Sequence, residues 1–492
     1  MQFVLIGLTA AVAATASPAP DSGVFKLAVM QGTASGTYSQ DPQRIADMIA
    51  SSGMHDEVNS AVDLSQVKQD FKAAASVLEP LNLPLYNGKD FAYYIDFQLG
   101  TPGQNQRVLA DTGSNELWVG SALCNARRLC ADKLDAFNEA KSTSYVDLSK
   151  SVLSNVTYGK GSVVGYQSTE TVQVGPVVVQ KTPLLLVQQE DSNILKQNNR
   201  SFNGIMGLAH VGGLDTTTIV APNNPAANIK TVVHNMINLG LLAQPMFSMW
   251  LGTGGSEEDT PNGGEITLGG MDASRFSGAV NYFSVSKAVV NGYYWSIQVS
   301  QLALGGKPKA MADKTFAIID SGTTFINVDK NTFMNMVLPA VQAGTTQATG
   351  AEYFAEYELT LVPCENVQYL PSFAVSFSEK SNMFFTINTS QLVLRKKVAD
   401  KLGRVVEACI LGITPGAVSA GNAGTVWILG EMFLRRFYTV HSFSEGGRVG
   451  FALLSTNATG TITPIGSEKA SSAKLVSVVS VLVLAAAALV SL

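Results

Sequence analysis

An internal repeat limits the folds open to this chain more than any other feature of its sequence. In the first half, VLADTGS contains Asp111, and GIMGL follows from Gly204. In the second half, AIIDSGT contains Asp320, and WILGE follows from Trp427. Each copy has an apolar strand, an Asp-Thr/Ser-Gly turn and, about 90 to 110 residues later, two apolar residues and a glycine. The repeat predicts two similar lobes that bring both aspartates to one cleft.

The sequence between these motifs is typical of an all-β protein. From Tyr86 onward, short alternating runs such as FAYYIDFQLG and TVQVGPVVVQ are separated by glycine and polar turns. Two segments favour helices within this body, Ile229–Leu242 and Asp329–Ala343. The glycine-rich stretch Gly252–Gly264 is typical of a loop.

The tripeptide Asp-Ser-Gly is weak evidence by itself, and a third copy in the chain shows this. Asp21 begins such a copy, but it follows Pro-Ala-Pro and has neither an apolar strand before it nor a later partner, so a turn is the better interpretation. For Asp111 or Asp320 alone, a capping role in a turn would be the simpler reading. The two together, each at the end of an apolar strand, favour catalysis.

Two carboxylates in contact cannot both ionise cheaply, so one of them keeps a proton. The charged partner can take a proton from a water molecule while the neutral partner donates to a substrate carbonyl, and the pair titrates as a unit. This chemistry predicts activity at acidic pH. Glycines allow close approach of the backbone and hydroxyls can orient the carboxylates. The residues expected to support the pair are Thr112, Gly113, Ser114, Ser321, Gly322 and Thr323.

Other chemistries find little support in the sequence. The formal net charge is −5 without a long basic run, which argues against nucleic acid. The histidines are scattered and no C-x-x-C pair occurs, so we expect no metal and no cofactor. There is no G-x-S-x-G, H-E-x-x-H or Walker-type loop. The four cysteines favour two local disulfides, Cys124–Cys130 and Cys364–Cys409, with four free buried thiols as the alternative.

Both ends of the chain indicate the secretory pathway. Residues 1–17 are typical of a signal peptide. Residues 475–492 form an uncharged apolar tail after a polar stalk at 457–474, which matches a GPI-attachment signal with Asn457, Gly466 or Ser467 as the attachment residue. A membrane-spanning helix is the alternative. Candidate glycosylation sequons begin at Asn155, Asn199, Asn388 and Asn457.

The motifs DTGSNELWVG, TYGKGS, FNGIMGLA, IIDSGTT and WILGEMFLRRFYTV follow one another within residues 86–455. In content and order they resemble the motifs of the pepsin family of aspartic proteases. With the apolar tail, the chain looks most like the GPI-anchored fungal subgroup, the yapsin-like proteases. The resemblance implies a bilobal pepsin-like fold with a few short helices and a cleft between two similar β-rich lobes. It agrees with the local disulfide pairing.

The resemblance also implies roles for individual residues. Asp111 and Asp320 match the catalytic pair, and Thr112 and Ser321 match the hydroxyls that lock the two loops together. Tyr158 matches the tyrosine of a flap that closes over substrate, with a buried structural tyrosine as the alternative. The remaining matches are the flap residues Gly159 and Lys160, the tyrosine's partner Trp118, and the residues of an apolar pocket before the cut, Leu109, Phe202 and Ile205. Core packing is the alternative for the last three.

Three features depart from the family pattern. Lys160 places a cation in the flap, which argues against a preference for Lys or Arg in the substrate, although Glu116 nearby could offset it. The predicted prosegment is acidic, so inhibition through Lys68 or Lys72 is only a hypothesis. His441 begins a His-Ser pair where the family has an apolar residue and an aspartate.

The sequence therefore predicts a monomeric, secreted acid endopeptidase that acts on proteins or peptides and is held at the cell surface or wall by a GPI anchor. The alternatives are a non-catalytic protease-like binding protein and a soluble secreted or vacuolar protease. The predicted segments are the signal peptide 1–17, prosegment 18–84, N-terminal lobe 85–281, C-terminal lobe 282–456, stalk 457–474 and a removed tail 475–492.

Overall fold

A computed structural model gives the fold of the protease-like body. It describes residues 79–464 apart from 131–135, 149–151, 160, 192–201, 214–229, 254–259, 400–404, 417, 420–423 and 456–459. The predicted signal peptide, nearly all of the predicted prosegment and the C-terminal tail lie outside the described residues. So do Lys160, Asn199 and Asn457.

Short strands make up most of the described chain. In the first half they are β1 Leu81–Gly88, β2 Ala92–Leu99, β3 Gln104–Asp111, β4 Leu117–Gly120, β5 Val146–Asp147, β6 Leu153–Tyr158, β7 Gly161–Val174, β8 Val177–Glu190, β9 Gly204–Gly207, β10 Met246–Leu251, β11 Thr260–Leu268 and β12 Phe276–Ser284. In the second half they are β13 Ser296–Leu304, β14 Lys307–Ala310, β15 Thr315–Ile319, β16 Ile326–Val328, β17 Glu352–Phe354, β18 Leu359–Val362, β19 Phe373–Phe377, β20 Met383–Ile387, β21 Val393–Ala399, β22 Val405–Leu411, β23 Ile413–Pro415, β24 Val418–Ser419, β25 Thr425–Leu429, β26 Phe437–Ser442, β27 Arg448–Leu454 and β28 Gly460–Pro464.

The strands form three sheets within the described residues. The largest has the order β12-β27-β26-β10-β11-β1-β2-β3-β9-β4-β8-β7-β5, with β6 also on β7. The second has the order β23-β16-β25-β15-β13-β19-β20-β28, with β14 on β13 and β24 on β25, and the third has the order β17-β18-β22-β21. Because β26 and β27 of the second half join the sheet of the first half, the two lobes share a continuous hydrogen-bonded backbone.

The two copies of the sequence repeat fold alike. Strand β3 runs parallel to β9 with Asp111 opposite Gly207, and β15 runs parallel to β25 with Ile319 opposite Leu429. The strand after each aspartate, β4 or β16, pairs antiparallel with the same partner. The downstream apolar-Gly motif is therefore the strand that supports each aspartate from one side.

Helices are few and short. They are α1 Ala122–Ala126, α2 Val232–Asn238, α3 Lys330–Thr332, α4 Leu338–Ala343 and α5 Glu431–Leu434, with a π turn Phe333–Val337 between α3 and α4. Short 3-10 turns occur at Glu139–Lys141, Val290–Gly292, Cys364–Tyr369, Ser378–Lys380, Thr389–Gln391 and Ser444–Gly446. No helix in the described part of the chain is long and apolar enough to span a bilayer.

Both predicted helical segments contain helices, although α2 is shorter than the predicted Ile229–Leu242 and a π turn divides the second segment into α3 and α4. Side-chain caps explain where α2 and α3 begin. Thr231 caps α2 by accepting from the His234 amide, and Asp329 caps α3 by accepting from the Thr332 amide at 2.9 Å. The predicted loop Gly252–Gly264 is partly wrong, because β11 already begins at Thr260 and its glycines pack closely against neighbouring strands. A Cβ at Gly264 would lie 3.0 Å from the Trp250 carbonyl oxygen.

The ends of the described body extend beyond the predicted lobes. Leu81 pairs with Leu268 in register, so β1 begins within the predicted prosegment, and β28 follows the predicted end of the C-terminal lobe at 456. The predicted boundary between the lobes falls inside β12. The segment boundaries themselves stay predictions.

All four cysteines are paired as the sequence suggested. Cys124–Cys130 closes the turn after α1, and Cys364–Cys409 ties the 3-10 turn Cys364–Tyr369 to β22.

Candidate active site

Asp111 and Asp320 occupy equivalent places at the ends of matching strands. Asp111 is the last residue of β3, and Asp320 follows β15 directly and donates its amide hydrogen to the Leu429 carbonyl at 3.2 Å. Both side chains are nearly buried, with residue exposures of 6% and 8%. Buried carboxylates of this kind need hydrogen-bond donors close by.

The two turns satisfy their carboxylates in the same way. The amide hydrogens of Gly113 and Gly322 are donated to Oδ1 of Asp111 and Asp320, each at 2.8 Å. The hydroxyl of Ser114 donates to Asp111 Oδ2 at 2.5 Å, and that of Thr323 donates to Asp320 Oδ2 at 2.7 Å. Bonds of this kind stabilise the charged form of a carboxyl group.

Glycine in both turns lets the two carboxylates meet. A Cβ on Gly113 would lie 2.6 Å from Asp320 Oδ1, and a Cβ on Gly322 would collide with Asp111 Oδ1. Each glycine therefore abuts the carboxylate of the opposite lobe. A side chain at either position would push the pair apart.

Thr112 and Ser321 join the two turns by four buried hydrogen bonds. The Thr112 hydroxyl donates to the Ile319 carbonyl at 2.8 Å and accepts from the Ser321 amide at 2.9 Å. The Ser321 hydroxyl donates to the Ala110 carbonyl at 2.7 Å and accepts from the Thr112 amide at 3.1 Å. Each hydroxyl reaches the backbone of the other lobe, so this interlobe lock fixes the separation of the aspartates.

The electrostatics of the pair favour one retained proton. Burial raises the pKa of the Asp111 carboxyl well above its ordinary value, and the negative charge of Asp320 raises it further. The hydrogen bonds from Ser114 and Gly113 act in the opposite direction but are smaller. At mildly acidic pH the two carboxyls can therefore hold one proton between them.

The predicted flap is a hairpin of β6 and β7. Tyr158 ends β6 and lies opposite Gly161 in the ladder. Its side chain packs against an apolar cluster that contains Leu109, Trp118 and Ile205 and that also takes up Phe202. The structure thus brings the predicted pocket residues and the flap tyrosine together. Leu109 and Ile205 belong to the buried core of this cluster, so a role in packing and a role in the pocket are compatible.

The flap tyrosine is electrostatically linked to the aspartates. Burial raises the pKa of Tyr158 well above its ordinary value, and the charges of Glu116 and then Asp111 raise it further. The hydroxyl therefore stays protonated and able to donate. Glu116 itself is fully buried, with neither carboxyl oxygen accessible. Because Lys160 lies outside the described residues, the suggestion that Glu116 offsets its charge stays a prediction.

Two further residues are linked to this site and were not predicted from the sequence. Burial raises the pKa of Tyr294 to about 12, and the charges of Asp320 and then Asp111 raise it further. The run Gly-Tyr-Tyr-Trp at 292–295 was the available signal. Asp191, directly after β8, accepts from the Ser162 amide at 2.7 Å and donates its own amide hydrogen to the Ser162 carbonyl at 2.9 Å.

Asp191 contacts the tip of the flap hairpin at a position that only glycine fits. Gly161 has φ +144°, and a Cβ there would lie 2.5 Å from Asp191 Oδ1. Because Gly161 is the partner of Tyr158 in the hairpin, the Asp191 carboxylate supports the residue opposite the flap tyrosine. No local sequence pattern predicts this contact.

Two of the predicted glycosylation sites lie at the surface. Asn155 on β6 and Asn388 before a 3-10 turn are exposed, as glycan acceptors must be. Within the described residues, the one group of metal-type ligands that meet is Cys364, Glu407 and Cys409, and both of its sulfurs are in a disulfide. These sulfurs cannot bind a metal ion as thiolates.

A family model described as "Eukaryotic aspartyl protease" matches residues 92–454. The chain belongs to this family. As a member of the family it is a pepsin-like aspartic endopeptidase, and the two aspartate turns lie within the matched region.

Individual relatives agree with this membership. Gastricsin of Macaca fuscata fuscata is 30% identical over 364 residues, covering 74% of this chain and 84% of the relative. Cathepsin D of Clupea harengus is 29% identical over 373 residues, covering 75% and 82%. The crystal structure of aspartic proteinase from Irpex lacteus superposes with a TM-score of 0.59 at 22% identity, covering 77% of this chain and all (100%) of that chain. This last likeness shows the bilobal fold.

We predict that the interlobe lock contributes to both stability and activity of this aspartic endopeptidase. Thr112→Ala and Ser321→Ala should each lower the free energy of unfolding by about 1–3 kcal/mol, because buried partners lose their bonds. Each should also lower kcat, since the aspartates lose their fixed separation. Urea unfolding and peptide cleavage measure the two effects.

Thr349→Ala is the matched control for the lock variants. Thr349 is fully buried and its hydroxyl donates to the Val341 carbonyl at 2.8 Å, far along the chain from either aspartate turn. It should lower stability by a similar amount and leave kcat unchanged. Equal kcat losses in all three variants would argue against a special role of the lock.

Proposed function

We propose that this chain is an acid endopeptidase of the cell surface, in which Asp111 and Asp320 activate a water molecule that attacks the peptide carbonyl. The observation that carries the proposal is the pair of equivalent carboxylate turns joined by the interlobe lock. The pair needs no covalent nucleophile and no metal ion.

The proposed reaction returns the single proton of the pair to its starting point. The ionised carboxylate takes a proton from water as the water oxygen bonds to the carbonyl carbon, and the protonated carboxyl donates to the carbonyl oxygen. A tetrahedral diol forms. One diol hydroxyl then gives its proton back to the carboxylate, the C–N bond breaks, and the leaving nitrogen takes a proton from the other carboxyl.

In this proposal the flap positions the substrate over the pair. Tyr158 ends β6 of the hairpin and packs on the apolar cluster around Leu109, Trp118 and Ile205, which would offer a surface for the substrate side chain before the cut. Asp191 is a positioning residue, because it touches the flap backbone and acts through Tyr158.

The cell-surface location rests on the two ends of the sequence. We propose a GPI anchor attached at Asn457, Gly466 or Ser467 after removal of the tail 475–492. With the family membership, this makes the chain a candidate for the yapsin-like subgroup. A soluble secreted or vacuolar protease remains the competing location, and the experiment below distinguishes them.

Replacing either aspartate tests the mechanism. Asp111→Asn and Asp320→Asn should each lower kcat/KM by a factor of about 10³ or more, because the pair loses either its base or its shared proton. Cleavage of an unfolded protein at acidic pH gives the readout, and Ser455→Ala serves as a surface control. Undiminished cleavage by either variant would overturn the dyad. A wild-type protein that cleaves no peptide after prosegment removal would support the non-catalytic binding protein.

Replacing Asp191 tests the flap. Asp191→Ala should raise KM several-fold with a smaller change in kcat, because the flap loses its support while the aspartates stay in place. Asp191→Asn keeps a carbonyl acceptor for the Ser162 amide and should restore most of the loss. A purely structural role predicts lower stability with unchanged KM.

Phospholipase treatment tests the anchor. Full-length protein in intact cells should remain with the membrane or wall fraction, and a phosphatidylinositol-specific phospholipase should release it from membranes. A variant that lacks 475–492 should enter the medium without treatment. Recovery of a soluble wild-type protein that retains its C-terminal tail would contradict the proposal.

A further inference from the structure

Three of the four histidines of the chain lie in one buried aromatic cluster, which we call the histidine cluster. Their exposures are 1% for His210 and 0% for His234 and His441. His210 lies 4.7 Å from Trp295 between ring centroids, and His441 stacks on Phe247 at 4.6 Å. His234 meets Phe443 edge-on at 4.6 Å, and Phe443 also packs on Trp295 at 4.9 Å.

The cluster gives these rings few polar partners. His210 Nδ1 lies 2.7 Å from the Gly292 carbonyl and so donates to it, and His234 Nδ1 lies 2.8 Å from the Thr231 hydroxyl. Within the described part of the chain, Nε2 of His210 and both nitrogens of His441 have no hydrogen-bond partner. A protonated His210 or His441 ring would therefore hold an N–H donor with nothing to accept it. For His234, backbone groups of Gly213 and His210 favour the charged form, but their effect is smaller than that of burial.

The charged groups that face the cluster make protonation harder still. Lys287 acts on His210, and Lys230 and His210 act on His234, all with the same sign as a protonated ring. Burial is the larger effect throughout. It lowers the pKa of His210 to about 4 and those of His234 and His441 to about 3.

The cluster lies directly behind the two aspartate turns. The Trp295 indole donates to the Leu208 carbonyl at 2.8 Å, and the Leu208 amide donates to the Asp111 carbonyl at 2.7 Å. The Ile319 amide, next to Asp320, donates to the Trp295 carbonyl at 2.9 Å. Trp295 is thus hydrogen-bonded directly to the Asp320 strand and, through Leu208, to Asp111, and its ring packs against His210 and His441.

We propose that the histidine cluster is an acid-sensitive element, which supports the catalytic body while its three rings are neutral and lets it unfold in stronger acid. The inference goes beyond the proposed function, because it concerns the lower pH limit of the folded protein rather than its chemistry. It implies an enzyme suited to mildly acidic surroundings and inactivated by strong acid.

The direction of the effect follows from proton binding. In the unfolded chain each histidine has its ordinary pKa of about 6.5, so below that pH the unfolded state binds protons that the folded state excludes. The stability due to the cluster is complete above about pH 6.5 and is lost as the pH falls toward the folded values. Between about pH 6 and pH 4, each unit by which the pH falls should raise the unfolding equilibrium constant about tenfold for each ring. With three rings the increase is about a thousandfold per pH unit.

Two measurements test the proposal, both in an Asp320→Asn background so that self-digestion does not interfere. The first is an NMR titration of the histidine rings in the folded protein. Three rings should remain neutral down to the lowest pH at which the fold persists. Three rings that titrate near pH 6.5 in the folded protein would overturn the proposal without any further variant.

The second measurement is urea unfolding from pH 4 to pH 7. His441→Phe keeps a ring that can stack and removes one titrating group. The increase of the unfolding constant per unit fall in pH should therefore be about ten times smaller in this variant than in the parent protein. Phe377→Leu is the matched control, because it removes part of a buried aromatic ring that does not titrate. It should lower stability equally at every pH. An unchanged slope in His441→Phe would contradict the proposal.

Discussion

The four hydrogen bonds between Thr112 and Ser321 are the constraint on which the rest of the site depends. Two carboxylates of like charge are buried side by side, an arrangement that repulsion and desolvation both oppose. The lock holds the turns together through backbone atoms of the opposite lobe, while each carboxylate is satisfied within its own turn. The pair relieves the remaining repulsion by keeping one proton. The same proton is the reagent that the proposed reaction consumes and regenerates.

The duplicated architecture explains why the lock can form. Each aspartate strand lies beside a parallel partner strand that begins far along the sequence, and β26 and β27 tie the second half into the sheet of the first. Trp295 connects both aspartate strands to the histidine cluster behind them. A fall in pH should therefore have two opposed effects. It supplies the proton that the two aspartates share, and it favours the unfolded state, in which the three histidines can be protonated.

The repeat allowed the sequence to predict the two aspartate turns, their glycines and hydroxyls, and the all-β bilobal fold, because these features are encoded locally in each copy. Features made by distant segments were harder to predict. Asp191 supports the flap from the end of another strand, and the charges of both aspartates raise the pKa of Tyr294 in the second half. His210, His234 and His441 look scattered in sequence, and only the fold gathers them. The predicted loop at Gly252–Gly264 is wrong for its last residues, because Gly263 and Gly264 pack closely against neighbouring strands within β11.

If one proton shared by Asp111 and Asp320 drives catalysis, the pH dependence of kcat/KM must show two ionisations. Aliquots returned to the optimum pH after each assay would separate reversible ionisation from acid unfolding. We expect a bell-shaped profile with its maximum at acidic pH and a fall toward neutral pH as the pair loses its proton. A kcat/KM that rises through neutral pH to a plateau would require a single ionising base and would rule out the shared proton.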